Sequence, residues 1–231
     1  MLPQFARTQL LIGETGLRRL QESQVLIFGV GGVGSYAVEA LARTGVGKFI
    51  LVDPDKIELT NLNRQLPALI STIGKFKVEL LRERISEINS QAQVVVHKLK
   101  VTENNVGKFF QGTPDYILDA IDQVSGKVAI KKSAGKKNLP IISVLGMGNR
   151  LDPTQIKIGK LGQTKTCPLA RIMRRELRKS GESLDFNVIY SEEKPLKSTS
   201  QVGSISFVPA VAGLFAAAKI VNDLLSHYKK L

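Results

Sequence analysis

Val25-Leu26-Ile27-Phe28 runs directly into Gly29-Val30-Gly31-Gly32-Val33-Gly34. The four apolar residues read as a buried strand, and the glycines fit the pattern G-x-G-x-x-G. That pattern alone is weak, so its surroundings decide. Val33–Arg43 has helical spacing, with Val33, Ala37, Ala40 and Leu41 on one face. Lys48–Val52 is a second short apolar run, and it ends at Asp53, 19 residues after Gly34. Strand, glycine turn, helix, strand and acid, in that order, describe a nucleotide-binding βαβ unit. Gly29, Gly31, Gly32 and Gly34 let the backbone turn tightly and approach phosphates. The helix start beyond them offers free N–H groups and a positive dipole end. Asp53 stands where a ribose would be bound. The competing reading is a glycine turn that binds nothing.

Outward from this unit the periods keep alternating. Lys75–Ile88 is an amphipathic helix lined by Val78, Leu81, Ile85 and Ile88. Gln93–His97 and Tyr116–Leu118 are strands, the latter followed by Asp119. Val124–Lys137 is helical and Pro140–Val144 is a strand. Strands alternating with helices imply a Rossmann-like α/β fold, with a mainly parallel twisted sheet and helices on both faces. After Gly146 the pattern changes. Gln155–Ile158 reads as a strand, Pro168–Lys179 as a helix with proline in its first turn, and Asn187–Tyr190 as a strand. Glu192–Val202 is a polar loop rich in Lys and Ser, and Val208–Ser226 is a long helix returning to the core. The expected organisation is a nucleotide-binding core over 1–150 and a C-terminal α+β extension over 151–231, packed as one unit.

Composition sets the bounds. A chain of 231 residues that is 43% hydrophobic and 23% charged has ample material for a core, which excludes a disordered protein. The single cysteine, Cys167, excludes an internal disulfide and any multi-cysteine metal site, structural zinc included. Met1–Thr8 lacks the apolar stretch of a secretory signal, so a cytoplasmic protein is expected. The most apolar stretch, Ile205–Leu225, is interrupted by Pro209, Gly213, Lys219 and Asp223. Its charge-free part is about 14 residues, short of the roughly 20 that a spanning helix needs. A buried helix and no spanning segment are expected, with superficial membrane contact left open.

The net charge of +13 is concentrated: Gly126–Lys179 carries 14 Lys and Arg against Asp152 and Glu176. Within it, Arg171, Arg174, Arg175 and Arg178 recur at i, i+3, i+4 and i+7, which puts them in one helical stripe. Leu169, Ile172, Met173 and Leu177 fall opposite and should pack on the core. Lys131, Lys132, Lys136 and Lys137 would widen the patch. A solvated cationic surface and a polyanion-binding face both fit the charge. The planar guanidinium fork suits phosphates.

A nicotinamide or flavin enzyme faces a diphosphate. An adenylating enzyme must also neutralise the β- and γ-phosphates of ATP. Asn61, Arg64 and Gln65, in Leu59-Thr60-Asn61-Leu62-Asn63-Arg64-Gln65, are polar groups suited to that, and Lys77 sits near the start of the next helix. Asp122 lies just beyond the fourth strand, on the carboxyl side where such sheets bind ligands. A carboxylate there can hold Mg2+, which keeps few protein ligands when it rides on phosphates. Taken singly, Arg64 and Lys77 read equally as surface charges and Asp122 as a helix N-cap.

Together, the glycine loop, Asp53-Pro54-Asp55, Asn61-Leu62-Asn63-Arg64-Gln65, Gly74-Lys75-Phe76-Lys77-Val78 and Asp119-Ala120-Ile121-Asp122 resemble the ubiquitin-activating superfamily, which includes MoeB and ThiF. The resemblance implies ATP binding, with Asp53 on the ribose, Arg64 and Lys77 on the phosphates and Asp122 on magnesium. Asp55, Asn61 and Gln65 complete the implied ATP-binding set. It also implies a homodimer in which Arg7, in Phe5-Ala6-Arg7-Thr8-Gln9-Leu10, reaches the neighbouring subunit's nucleotide. Further segments are similar to one branch, the tRNA threonylcarbamoyladenosine dehydratases. They are Leu10-Leu11-Ile12-Gly13-Glu14, Gly146-Met147-Gly148-Asn149-Arg150-Leu151-Asp152-Pro153, Thr166-Cys167-Pro168-Leu169-Ala170, Met173-Arg174-Arg175-Glu176-Leu177-Arg178 and Gly203-Ser204-Ile205-Ser206-Phe207-Val208-Pro209. That branch implies adenylation of a carboxylate beside the tRNA anticodon, ring closure, and net loss of water at the expense of ATP. It makes tRNA the polyanion. Members of the branch can continue past the last helix with an apolar tail, and this sequence stops soon after it.

The alternative is MoeB- or ThiF-like adenylation of a sulfur-carrier protein's C-terminus, with a sulfur-transfer protein as partner. Those proteins usually carry paired Cys-x-x-Cys motifs for zinc, which one cysteine cannot supply. A module that senses ATP without turning it over is the remaining class. Cys167 reads as a small residue before the Pro168 helix start, ahead of a nucleophile. His97, in a strand, and His227, near the end, show no catalytic partner.

Overall fold

The computed structural model describes residues 3–110, 112–196 and 202–226. His227 and the part of the polar loop from Lys197 to Gln201 lie outside the described residues. The elements in chain order are α1 (Ala6–Glu22), β1 (Gln24–Phe28), α2 (Gly34–Thr44), β2 (Lys48–Val52), α3 (Lys77–Ile88), β3 (Gln93–His97), β4 (Tyr116–Asp119), α4 (Val124–Lys136), β5 (Ile141–Val144), β6 (Ile156–Lys160), α5 (Pro168–Lys179), β7 (Asn187–Ser191) and α6 (Phe207–Leu225). One seven-stranded sheet runs β3-β2-β1-β4-β5-β7-β6. Every pairing is parallel except β6 with β7. The central strands are apolar on both sides because both faces are covered. Val25 and Ile27 of β1 share one core with Leu41 of α2, Leu81 of α3 and Ile220 of α6. Leu26 and Phe28 share the other with Ile130 of α4, Met173 of α5 and Phe109.

The segment after Gly146 extends the same sheet. β7 pairs with β5 from Ile142↔Asn187 to Val144↔Ile189. β6 folds back on β7 through Lys160↔Asn187, which carries it two residues beyond the Ile158 expected from periodicity. α6 returns across the sheet to α2 at very close range: a Cβ on Gly213 would stand 2.3 Å from the Val33 carbonyl oxygen. By length and composition α6 is the one helix among the described residues that could cross a membrane, and half of it is buried in this packing. Its polar residues are used within the fold. The Tyr116 hydroxyl donates to Asp223 at 2.7 Å, and Lys219 pairs with the same carboxylate.

α1 is absent from the sequence reading. Gly13 interrupts it with φ of +72°, and its buried residues are only Gly16, Leu17 and Leu20. Leu10 and Leu11 point outward, 86% and 87% exposed, so no apolar stripe of helical period marks it.

The Gly213 contact generates a stability prediction. Gly213→Ala should lower the urea midpoint by the equivalent of about 1–3 kcal/mol, the usual cost of overpacking. An unchanged midpoint would show that α2 and α6 can separate freely.

Candidate nucleotide site

Backbone geometry at the end of β1 builds the site. Gly29 takes φ of +83° and donates its N–H to the Val52 carbonyl at 2.9 Å. A Cβ there would lie 2.8 Å from the Ala120 oxygen and 2.9 Å from the Ile121 nitrogen. The glycine loop is therefore pressed against the chain leaving β4, which brings the Ala120–Asp122 segment beside it. At Gly34 a Cβ would meet the Gly29 oxygen at 1.9 Å, so the first turn of α2 also closes on the loop. On its other side the loop faces Arg64 and Gln65. Positions for a Cβ on Gly32 and Gly31 lie 3.4 Å from Arg64 Cγ and 3.6 Å from Gln65 Nε2. The structure thus collects the glycines, Arg64, Gln65 and the end of β4 at the carboxyl edge of the sheet.

Asp53, at the end of β2, is 5% exposed. Its carboxylate accepts the Val30 N–H at 2.8 Å and the Asp55 N–H at 2.9 Å. Burial raises its pKa above the ordinary aspartate value, opposed by the Val30 hydrogen bond and the Lys77 charge. Lys77 has a buried stem, and its Nζ pairs with Asp55 at 2.9 Å, whose carboxylate is largely in solvent. It is therefore no plain surface charge. Arg64 donates to the Thr60 carbonyl at 2.7 Å and to Asn63 Oδ1 at 3.0 Å. Asn61 is buried and accepts the Glu58 N–H at 3.2 Å. Gln65 Oε1 is buried without a hydrogen-bond partner. Asn63 donates to the Ser204 carbonyl at 2.9 Å, tying this segment to the approach to α6. Asp122 is exposed and caps nothing: Gln123 holds the N-cap position of α4, with no side-chain cap. Arg7 is exposed in the first turn of α1.

One pair beside the site escapes the sequence reading. Lys127 of α4 and Asp119 of β4 are both fully buried and joined at 3.0 Å. Lys127 Nζ also donates to the Val144 carbonyl at 2.7 Å. It thereby couples the carboxyl ends of β4 and β5. Lys127 shares the buried face of α4 with Ile130 and Ala134, a spacing that marks it as inward once a partner is known. Composition counts it as part of the cationic stretch; the structure removes it from the surface.

The basic helix needs two corrections. Arg174 belongs to the outward stripe by spacing, but its Nη1 donates to the Thr164 carbonyl at 2.7 Å and to the Thr164 hydroxyl. Ile172, expected against the core, is 37% exposed. The buried arc is Ala170, Met173 and Leu177. At 100° per residue Arg174 borders that arc and Ile172 lies outside it. Arg171, Arg175 and Arg178 remain outward, with Arg175 paired to Glu176 at 2.9 Å. Lys131 is buried over the Phe186 ring, whereas Lys136 and Lys137 are exposed. Cys167 is buried at the N-cap of α5, below Gly146. His97 packs edge-on to Phe109, and burial lowers its pKa.

The model of the ThiF family matches residues 5–231. The chain belongs to the ThiF family. Within the family it is 42% identical to the tRNA threonylcarbamoyladenosine dehydratase of Bacillus subtilis, over 97% of this chain and 96% of that one. The crystal structure of E. coli tRNA N6-threonylcarbamoyladenosine dehydratase, TcdA, in complex with ATP superposes with a TM-score of 0.92 at 33% identity, covering 97% of this chain and 95% of that one. The AMP complex of the same E. coli protein gives 0.93 at 33% identity, over 99% and 96%. All three cover the α6 return as well as the glycine loop, so the likeness extends beyond the nucleotide-binding unit that ThiF-family proteins share.

The buried ion pair generates the prediction here. Lys127→Met leaves Asp119 uncompensated and should cost about 3–5 kcal/mol of unfolding free energy. Adding Asp119→Leu should recover most of it. Equal instability of the single and double variants in urea unfolding would contradict this.

Proposed function

We propose that this ThiF-family protein catalyses the ATP-dependent dehydration of threonylcarbamoyladenosine beside the tRNA anticodon, by adenylating its carboxylate. One arrangement supports the chemistry. A glycine cradle is closed on one side by the end of β4 and on the other by Arg64 and Gln65, with a buried Asp53 beneath. The near full-length likeness to a tRNA threonylcarbamoyladenosine dehydratase supports the substrate.

In this reading Asp53 accepts hydrogen bonds from the ribose, and the phosphates lie over Gly29–Gly34 at the start of α2. Asn61 and Gln65 hold the nucleotide from the facing segment, where the unpartnered Gln65 Oε1 is a free acceptor. Lys77 and Arg64 exchange their present partners, Asp55 on one hand and Thr60 and Asn63 on the other, for phosphate oxygens. The substrate carboxylate attacks the α-phosphorus and pyrophosphate leaves. The substrate's own nitrogen then attacks the acyl carbon, closes a ring and expels AMP. One carboxylate oxygen departs with AMP, which accounts for the loss of water. Arg64 and Lys77 are aimed where charge develops on the phosphates, and such fixed charges supply much of a rate enhancement. Among the described residues no group of three His, Cys, Asp or Glu gathers as for a metal. A single exposed carboxylate, Asp122, fits Mg2+, which needs few protein ligands when phosphates supply the others. Such an ion, when bound, neutralises phosphate charge.

A second copy of the chain is part of the proposal. Leu10 and Leu11 of α1, with Leu214 and Phe215 of α6, leave large apolar side chains in solvent on two touching helices. A homodimer covering them would carry Arg7, on the same helix α1, toward the partner's nucleotide.

Asp122→Ala should reduce AMP formation on modified tRNA by at least about 100-fold, the scale of losing one electrostatic stabiliser, without moving the unfolding midpoint. Wild-type turnover would remove Asp122 from the chemistry. Mixed Arg7→Ala and Asp122→Ala subunits should regain part of the activity through one intact hybrid site. No gain after verified subunit exchange would argue against a shared site. Changing Arg171, Arg175 and Arg178 to Gln should weaken tRNA binding and flatten its log–log salt dependence by about 0.7 to 0.9 per lost phosphate contact. Arg174→Gln should act mainly on stability, through Thr164. An unchanged slope in the triple variant would leave the helix a solvated face.

A further inference from the structure

Tyr190 has no part in the chemistry above, yet it lines a cavity of about 490 Å3 with Gln163, Lys165, Thr166 and Glu192. β7 runs parallel to β5, so Tyr190, near its carboxyl end, opens on the same edge of the sheet as the glycine loop, Asp53 and Asp122. β5 alone separates β7 from β4, a lateral distance of about 10 Å at roughly 4.8 Å per strand.

The ring is held in place by the edge strand. Tyr190 is the register partner of Lys157, and two residues on, β6 has a glycine. A Cβ on Gly159 would stand 3.2 Å from Tyr190 Cε1 and 3.6 Å from its hydroxyl, so the ring lies across bare backbone. The ring stays half-buried rather than covered. The walls are fixed as well. The Thr166 hydroxyl donates to the Ser191 carbonyl at 3.0 Å, and the Glu192 N–H donates to the Gln155 carbonyl at 3.0 Å. Lys165 and Lys157 are exposed beside the opening, within the stretch that carries most of the positive charge.

We propose that this cavity is an RNA subsite in which Tyr190 stacks on an unpaired base of the anticodon loop, next to the nucleotide being modified; it rests on the tRNA reading above. A supported, half-exposed aromatic ring with cations at the rim is the combination that holds single-stranded nucleic acid: the ring takes the base and the ammonium groups take its phosphate. Glu192 selects the kind of ligand. A carboxylate in the cavity repels a free anion such as inorganic phosphate, and it accepts hydrogen bonds from the amino or imino groups of a base edge. The Gln163 side-chain amide adds a donor. The plain alternative is that Tyr190 only shields Gly159.

The chain contains no tryptophan, so Tyr190→Trp places a single indole reporter in the cavity. It is titrated with an anticodon stem-loop RNA carrying threonylcarbamoyladenosine, and with the same RNA made abasic at the loop positions flanking that nucleotide. Saturable quenching by the first RNA and its loss with the abasic RNA are expected. In parallel, Tyr190→Leu should weaken binding of the intact RNA roughly 5- to 100-fold, the range for losing one stacked base, while Tyr190→Phe binds as wild type and ATP affinity stays unchanged. Absence of quenching overturns the subsite whatever the other variants do, including a Tyr190→Leu protein that fails to fold. Wild-type affinity in a folded Tyr190→Leu protein overturns it equally. Failure of the wild-type protein to bind the modified RNA at all would instead bring down the tRNA reading, and the subsite with it.

Discussion

The contact between Gly29 and the backbone of Ala120 and Ile121 governs this edge of the sheet. At 2.8–2.9 Å from where a Cβ would be, nothing larger than hydrogen fits. The loop after β1 and the loop after β4 therefore share one surface. Everything assigned to the nucleotide depends on that surface. Asp53 reaches back to the Val30 N–H because the glycine turn delivers it there. Asp122 stands beside the loop because Ala120 and Ile121 are held against it.

A site built on two loops needs a stiff floor, and the buried Lys127–Asp119 pair is suited to provide it. Its ammonium group bridges the carboxyl ends of β4 and β5 by bonding Asp119 and the Val144 carbonyl. A buried ion pair is weak evidence for stability, since desolvation offsets much of the attraction. Its consequence here is geometric: the strand that leads to Asp122 and the strand beside the proposed base-binding cavity are held to the same helix, α4.

Much of this was legible in the sequence, for definite reasons. β2, β3 and α5 have the bounds that periodicity and Pro168 give them, because their signals are local. The glycine loop and Asp53 were legible because each constraint lies on the residue that obeys it. The features that escaped depend on distant partners. Lys127 reads as surface charge until Asp119 is placed against it. Arg174 reads as part of an outward stripe until Thr164, ten residues earlier, takes its guanidinium group. α1 hides because Gly13 breaks its period and Leu10 and Leu11 face away from the core. Tyr190 gave no signal at all, since its setting depends on Gly159 across a strand pair.

The central claim is that a carboxylate of the RNA attacks the α-phosphorus of ATP. It is tested most directly by labelling both carboxylate oxygens of threonylcarbamoyladenosine in the tRNA with 18O and weighing the released AMP. Adenylation requires that AMP carry one labelled oxygen per turnover and that the cyclised product keep the other. Unlabelled AMP, with oxygen drawn from solvent, or release of ADP in place of AMP, would contradict the account.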